Sequence, residues 1–256
     1  MAKVRVIVLR AAGINCDGET VHAWRLAGAE PRLVHVNELI RNPGQLNDAQ
    51  VLTVPGGFSY GDDIAAGRIL ASRLAHRLSD AAREFIATGK LVLGICNGFQ
   101  VLVRMGLLPG GRREALRVSL APNSSSRFED RWVRLRVETD RCAFLRRSRY
   151  IEAPVAHAEG RLVVDSERAL TALRENGHVA LRYVDSRGEP GDYPANPNGS
   201  ADGIAGLTDA TGQVLGLMPH PERHVDRTQH PLWTRRPDVA TADGLDVFRS
   251  GVECLK

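Results

Sequence analysis

Apolar and polar positions along this chain follow two different rhythms, and the change between them divides the sequence in half. In the first half, short apolar runs, VRVIVL (4–9), RLVHV (32–36), VLTV (51–54) and LVLGI (91–95), alternate with stretches of helical spacing, GETVHAWRLAGA (18–29), 67–88 and NGFQVLVRMG (97–106). Unbroken apolar runs predict strands buried on both faces, and helices between successive strands predict a parallel arrangement covered on two sides. In the second half, RWVRLRVE (131–138), GRLVV (160–164), HVALRYV (178–184), GIAGLTD (203–209) and GQVLGLMP (212–219) follow one another with DSERALTALRENG (165–177) as the single helical candidate. These predict antiparallel or mixed strands added to the same sheet.

Turn-forming residues concentrate at PGGFSYGDD (55–63), APNSSS (121–126) and PGDYPANPNGSADG (190–203). In open α/β sheets the ligand crevice lies beyond the carboxyl ends of the strands, where such loops converge. No low-complexity linker and no internal repeat interrupts the 256 residues, so a single domain over 1–256 is expected.

Composition narrows the function classes. The net charge of +4 and the arginine-rich stretch from Arg112 to Arg149 invite a nucleic-acid reading. Glu114, Glu129, Asp130, Glu138 and Asp140 interrupt that stretch and no aromatic stacking pattern accompanies it, so no nucleic-acid partner is expected. The N-terminal apolar run is short and carries Arg5 and Arg10, which fits neither a signal peptide nor a membrane span; a cytoplasmic protein with no membrane partner is expected. Cys16, Cys96, Cys142 and Cys254 lie far apart with no CxxC pair, which points to neither a disulfide framework nor a zinc ribbon.

Cys96 stands out among them. The strand LVLGI runs straight into the helix NGFQVLVRMG, which leaves Cys96 on the sharp turn, with Gly94 and Gly98 removing side chains that would clash there. G-x-C-x-G is the thiol counterpart of the nucleophile elbow, and a helix N-terminus favours the thiolate form of a cysteine. The plainer alternative is a buried structural cysteine with glycines required for close helix packing.

A cysteine nucleophile requires a base and a group that orients it. Two identical H-x-E arrangements offer them, His157 with Glu159 and His220 with Glu222. Residues two apart in an extended segment point to the same side, so either glutamate could hold its histidine, and spacing does not choose between them. His220, Glu222, His224 and His230 could also be read as metal ligands, but no helix face aligns them and no metal is expected. Gly56 and Gly57, after the strand VLTV, can bring backbone N–H groups against a substrate and, with the N–H of Asn97, form an oxyanion hole. The plain reading of the same glycines is a simple loop turn.

Taken together, GINCDGET (13–20), PGGFSYGDD, GICNGFQVL (94–102), GLLPG (106–110), NSSSRFEDRW (123–132), AHAEGR (156–161), NPNGS (196–200), GIAGL (203–207) and MPHPER (218–223) resemble the class I, or triad, glutamine amidotransferases over almost the whole chain. G-x-C-x-G alone marks the superfamily. GINCD, SRFE, NPNGS and PHPER in this order resemble one branch of it, the glutaminase subunits of phosphoribosylformylglycinamidine synthase.

The resemblance implies a flavodoxin-like α/β fold, a three-layer sandwich with a mostly parallel mixed sheet flanked by helices. By position it implies Cys96 as nucleophile, His220 as base, Glu222 as its orienting carboxylate, Gly57 and Asn97 as oxyanion donors and Gln100 as a residue that holds glutamine. Asn123, Ser125 and Arg127 match a substrate-side loop. It further implies hydrolysis of glutamine through a cysteinyl thioester, with the ammonia used to convert formylglycinamide ribonucleotide to formylglycinamidine ribonucleotide in purine synthesis. The chain has no GxxxxGK[ST] loop, so no cofactor is expected in it, and ATP and Mg2+ are expected at a separate synthetase subunit, with a small bridging subunit as a further partner. Two departures from the pattern are Ala158, where glycine is common, and a C-terminal extension from about 224. The rival readings are another cysteine hydrolase on the same scaffold, of peptidase or deglycase type, and a noncatalytic docking module.

Overall fold

The run RVIVLR forms β1 (Arg5–Arg10), whose four central residues are buried, and the chain then alternates as the spacing predicts: α1 (Asp17–Leu26), β2 (Glu30–His35), α2 (Val36–Arg41), β3 (Val51–Val54), α3 (Arg68–Ala87), β4 (Leu91–Ile95) and α4 (Asn97–Arg104). The second half contributes β5 (Val118–Pro122), β6 (Glu129–Val137), β7 (Tyr150–His157), β8 (Glu159–Val164), α5 (Glu167–Glu175), β9 (Val179–Val184), β10 (Ile204–Thr208), β11 (Val214–Leu217) and α6 (Asp243–Cys254). This computed structural model describes residues 2–110, 118–235 and 242–256. Residues 111–117, which include the start of the arginine-rich stretch at Arg112, and residues 236–241, within the expected extension from about 224, lie outside them.

Nine strands form one mixed sheet in the order β2-β1-β3-β4-β11-β10-β9-β6-β7. Pairing is parallel from β2 through β11 and antiparallel from β11 through β7, so the two rhythms of the sequence correspond to two halves of one sheet. Every residue of β3, β4 and β11 is buried, as their unbroken apolar runs require. Each large apolar side chain there, such as Leu93 or Ile95, gains about 1.5–3 kcal/mol over an exposed position. Along β7 exposure alternates residue by residue, the signature of a strand with one face on the core.

Right-handed crossovers from β1 outward to β2 and from β3 inward to β4 run in opposite directions and so place α1 and α3 on opposite faces of the sheet. α6 packs on α1, where Trp24 and Phe248 meet edge to face at 5.1 Å. The C-terminal segment therefore adds a helix to the core, with Leu245, Val247, Phe248 and Val252 all buried. Sequence periodicity overlooked α6 because glycines at 244 and 251 interrupt its apolar stripe.

One expectation is corrected. GRLVV does not join the main sheet: β8 pairs only with β5, in a separate two-stranded antiparallel sheet. After His157 the chain turns out of the ladder because Glu159 is held elsewhere. Its backbone oxygen accepts from Gln100 Nε2 at 2.5 Å, and its carboxylate pairs with Arg104 at 3.0 Å, both residues being on α4.

The parallel half positions the site. The carboxyl ends of β1, β3, β4 and β11 open on the same edge of the sheet and deliver, in order, residues 11–16, the loop 55–63, Cys96 and His220. Ile95 and Leu217 are register partners on β4 and β11, and Cys96 N donates to Leu217 O at 2.8 Å. The nucleophile candidate and the base candidate thus leave adjacent strands side by side.

Candidate active site

Cys96 sits between β4 and α4 with φ 51° and ψ −107°, a left-handed backbone that a non-glycine residue adopts only when its surroundings enforce it. The flanking glycines supply the enforcement. A Cβ on Gly98 would lie 1.8 Å from Val54 O, and one on Gly94 would lie 2.8 Å from Gly98 O, so neither position admits a side chain. Helix α4 is pressed against the ends of β3 and β4 with Cys96 at its N-cap. Its Sγ lies 3.9 Å from Ala156 O, at the end of β7.

The two H-x-E pairs, tied in the sequence, are separated here. His220 Nδ1 lies 2.6 Å from Glu222 Oε1, with both side chains buried, and His220 N donates to Pro154 O at 2.8 Å. Burial by itself would push the imidazole down; the Glu222 carboxylate and then Cys96 outweigh it and hold His220 well above the ordinary histidine value. Nε2 of His220 is buried and makes no hydrogen bond among the described residues, which leaves it available to a reacting group. A Cβ built on Gly56 would lie 2.8 Å from His220 Cε1 and 3.4 Å from Cys96 Cβ, so the His220 ring and the Cys96 side chain both border this glycine.

His157 has a different partner. Its Nδ1 lies 3.1 Å from Asn123 Oδ1, while Asn123 Nδ2 donates to His157 O at 2.8 Å and to Arg127 O at 2.9 Å. With Asn123 Oδ1 as acceptor, Nδ1 carries the proton and the ring is neutral. Burial, reinforced by the charge on His220, lowers His157 to about 4. Glu159 turns away to Arg104 and to Ala66 N, at 3.3 Å.

Gly57 lies in the loop after β3, and Asn97 opens α4 directly after Cys96. Gly57 is bridged to Ile14 through its neighbour, Phe58 N donating to Gly13 O at 2.8 Å, and Cys16 N donates to Gly56 O at 3.3 Å just beyond the bridge. The amide of Gly57 is therefore not used by the bridge. The N–H of Asn97 is in the first turn of α4, where backbone donors have no partner within the helix.

Gln100 is buried, and both ends of its amide are engaged, Oε1 by Asn97 Nδ2 at 3.1 Å and Nε2 by Glu159 O. Of Asn123, Ser125 and Arg127, the structure brings Asn123 to the end of β7, where it bonds His157. Ser125 Oγ donates to Glu129 Oε1 at 2.8 Å, and the side chain of Arg127 is exposed; neither bonds to Cys96, His220 or Glu222 among the described residues.

The metal reading of His220, Glu222, His224 and His230 is divided in two. His224 and His230 pack on Trp132 at 4.9 and 4.5 Å between ring centres and bind Glu152, away from the Glu222 carboxylate. A different set, Cys16, His220 and Glu222, has ligand atoms within 4.8 Å of one another. Arg223 Nη2 donates to Cys16 Sγ at 3.2 Å, and a guanidinium so close to the sulfur opposes a cation there. Cys16 beside His220 is the feature that residue-by-residue reading missed, although its stretch, GINCD, was conspicuous.

A cysteine on a strained elbow, a buried histidine–carboxylate pair at the end of the adjacent strand and two candidate amide donors suit acyl transfer from an amide substrate. Similarity to known proteins agrees. The CobB/CobQ-like glutamine amidotransferase domain matches residues 3–254. Phosphoribosylformylglycinamidine synthase subunit PurQ of Dehalococcoides mccartyi is 42% identical over 99% of this chain and 98% of its own length. The same subunit of Archaeoglobus fulgidus is 43% identical over 99% and 98%. Among solved structures, PurLQS from Thermotoga maritima superposes with a TM-score of 0.74 at 34% identity, covering 100% of both chains. The glutaminase domain of Trypanosoma brucei CTPS, solved with bound acivicin, shares the fold at 13% identity and a TM-score of 0.57. With a domain match over nearly its full length and relatives above 40% identity end to end, the chain belongs to the PurQ family of phosphoribosylformylglycinamidine synthase subunits, within the CobB/CobQ-like glutamine amidotransferases.

Proposed function

We propose that this chain is the glutaminase subunit of phosphoribosylformylglycinamidine synthase, with Cys96, His220 and Glu222 as its catalytic triad. The observation that carries the triad is the buried 2.6 Å pair of His220 and Glu222 set beside a cysteine on a strained strand-to-helix turn. In this reading the Cys96 thiolate attacks the side-chain amide carbon of glutamine, and the carbonyl oxygen becomes an oxyanion that accepts from the N–H groups of Gly57 and Asn97. His220 Nε2 protonates the departing nitrogen, which leaves as ammonia, and a glutamyl thioester remains on Cys96. His220 then takes a proton from water, the resulting hydroxide attacks the thioester, and glutamate leaves as the thiol re-forms. Glu222 holds the Nδ1–H tautomer and stabilises the imidazolium at each stage.

The ammonia serves a synthetase subunit that converts formylglycinamide ribonucleotide to formylglycinamidine ribonucleotide, in purine synthesis. ATP and Mg2+ act on that subunit, and a small third subunit completes the complex; full-length similarity to PurLQS supports this assembly. Among the described residues no helix is long and apolar enough to cross a membrane. All four cysteines are free, which fits a reducing compartment, and we assign the protein to the cytoplasm.

The test is Cys96→Ser in the complex reconstituted with its synthetase and small subunits. Glutamine-dependent synthesis is expected to be abolished and synthesis from an added ammonium salt retained. Equal loss of both activities would refute the division of labour.

A further inference from the structure

The mechanism leaves one conspicuous stretch unused. Residues 11–16, between β1 and α1, include most of GINCD and lie directly behind the site. They hold the oxyanion loop through Phe58 N to Gly13 O and Tyr60 N to Ala12 O, both at 2.8 Å, and through Cys16 N to Gly56 O at 3.3 Å. The fit excludes side chains on both sides: a Cβ on Gly57 would lie 2.7 Å from Asn15 N, and one on Gly13 would lie 1.9 Å from Phe58 O.

At the end of this contact Cys16 turns its sulfur toward the base. Sγ lies 4.0 Å from His220 Nδ1, and the residue is 1% exposed. The sulfur is held from two other directions: its thiol points to Asn15 Oδ1 at 3.3 Å, and Arg223 Nη2 donates to it at 3.2 Å while Arg223 Nε binds Glu19 Oε1 at 2.9 Å. Gly56 lies between the parts, since a Cβ there would be 3.2 Å from Cys16 Sγ and 2.8 Å from His220 Cε1.

Resting on the glutaminase reading above, we propose that Cys16 is a positioning residue, which together with residues 11–16 fixes the His220 ring and the Gly57 amide relative to Cys96. The residue type suits the task. Nδ1 of His220 must remain committed to Glu222, and a thiol is bulky and only weakly hydrogen-bonding, so it fills the space beside the ring without competing for that nitrogen. Burial pushes the Cys16 thiol up, which keeps it neutral and adds no second negative charge beside Glu222. A hydroxyl would be smaller and a stronger donor, and Glu222 Oε2, buried without a hydrogen-bond partner among the described residues, would be a ready acceptor for it. Supporting contacts of this kind govern whether reacting groups are held closely enough to react.

The test uses the full chain assembled with its synthetase and small subunits. Cys16→Ala is expected to lower kcat with glutamine by about 10- to 100-fold with little change in KM, the penalty of a slightly misplaced base. It is also expected to move the pH midpoint for alkylation of Cys96 by iodoacetamide, followed on the Cys96 peptide by mass spectrometry. A purely structural role would lower thermal stability without moving that midpoint. Arg223→Met removes the donor to the sulfur from a partly exposed position and is expected to act in the same direction by a smaller factor; it decides the matter if Cys16→Ala does not fold. Folded variants that keep either the wild-type kcat or the wild-type midpoint would overturn the proposal. Failure of the glutaminase reading itself is seen separately, as absence of glutamate production by the wild-type complex.

Discussion

His220 and Glu222, two residues apart, close a 2.6 Å pair in which both side chains are buried, whereas His157 and Glu159, at the same spacing, face different partners. The difference assigns different consequences to the two histidines. His220→Ala is expected to lower glutamine turnover by about 100- to 10,000-fold, the usual range for loss of a general acid–base, with ammonia-dependent synthesis as the control for folding and docking. Glu222→Gln preserves the shape and is expected to cost less. Because the Glu222 charge helps to hold His220 above its ordinary value, its removal lets the imidazolium deprotonate at lower pH. The alkaline limb of kcat/KM should therefore move downward in Glu222→Gln, and an unmoved limb would contradict the pairing.

His157 is expected to contribute to the loss of stability in acid. Its folded value of about 4 lies below the ordinary 6.5, so between these pH values the unfolded chain binds a proton that the folded one refuses. Stability from this group is full above pH 6.5 and is lost as pH falls toward 4, by about 3 kcal/mol in total. His157→Gln keeps a donor for Asn123 and removes the titration. Its urea-unfolding stability should fall less than that of wild type between pH 7 and 4, and identical pH profiles would rule the account out.

Glu159 ties the loop around Ala66 to α4 through Ala66 N and Arg104. Glu159→Ala frees that loop near Gln100 and is expected to raise KM for glutamine by about five- to tenfold, equivalent to about 1 kcal/mol for a partly screened charged contact. kcat should stay close to wild type. A fall in kcat at constant KM would instead place Glu159 in the chemistry.

Phe248 anchors α6 against Trp24. Phe248→Ala is expected to destabilise the fold by about 3–5 kcal/mol, read from chemical denaturation, because a fully buried aromatic side chain leaves a cavity. Unchanged stability would show that the C-terminal helix is dispensable.

Periodicity and close-range sterics were legible in the sequence itself. Unbroken apolar runs marked β1, β3, β4 and β11 because a strand covered on both faces has no polar side, and Gly94 and Gly98 marked the elbow because a helix pressed onto strand ends leaves no room for Cβ atoms. What the sequence could not decide was pairing across distance. β11 lies beside β4 although long stretches of chain separate them, and that adjacency brings His220 out at the end of the strand next to the one that ends before Cys96. The same order of strands brings the loop after β1 against the loop 55–63, so Cys16, unremarkable when judged alone, becomes a neighbour of His220. β8 left the main sheet for a related reason: Arg104 and Gln100 hold Glu159 from a helix, and no local pattern in GRLVV encodes a partner supplied by another element. Local sequence dictates the period and turning of each segment, because those depend on near neighbours, while the choice of partners depends on contacts between residues far apart in the chain.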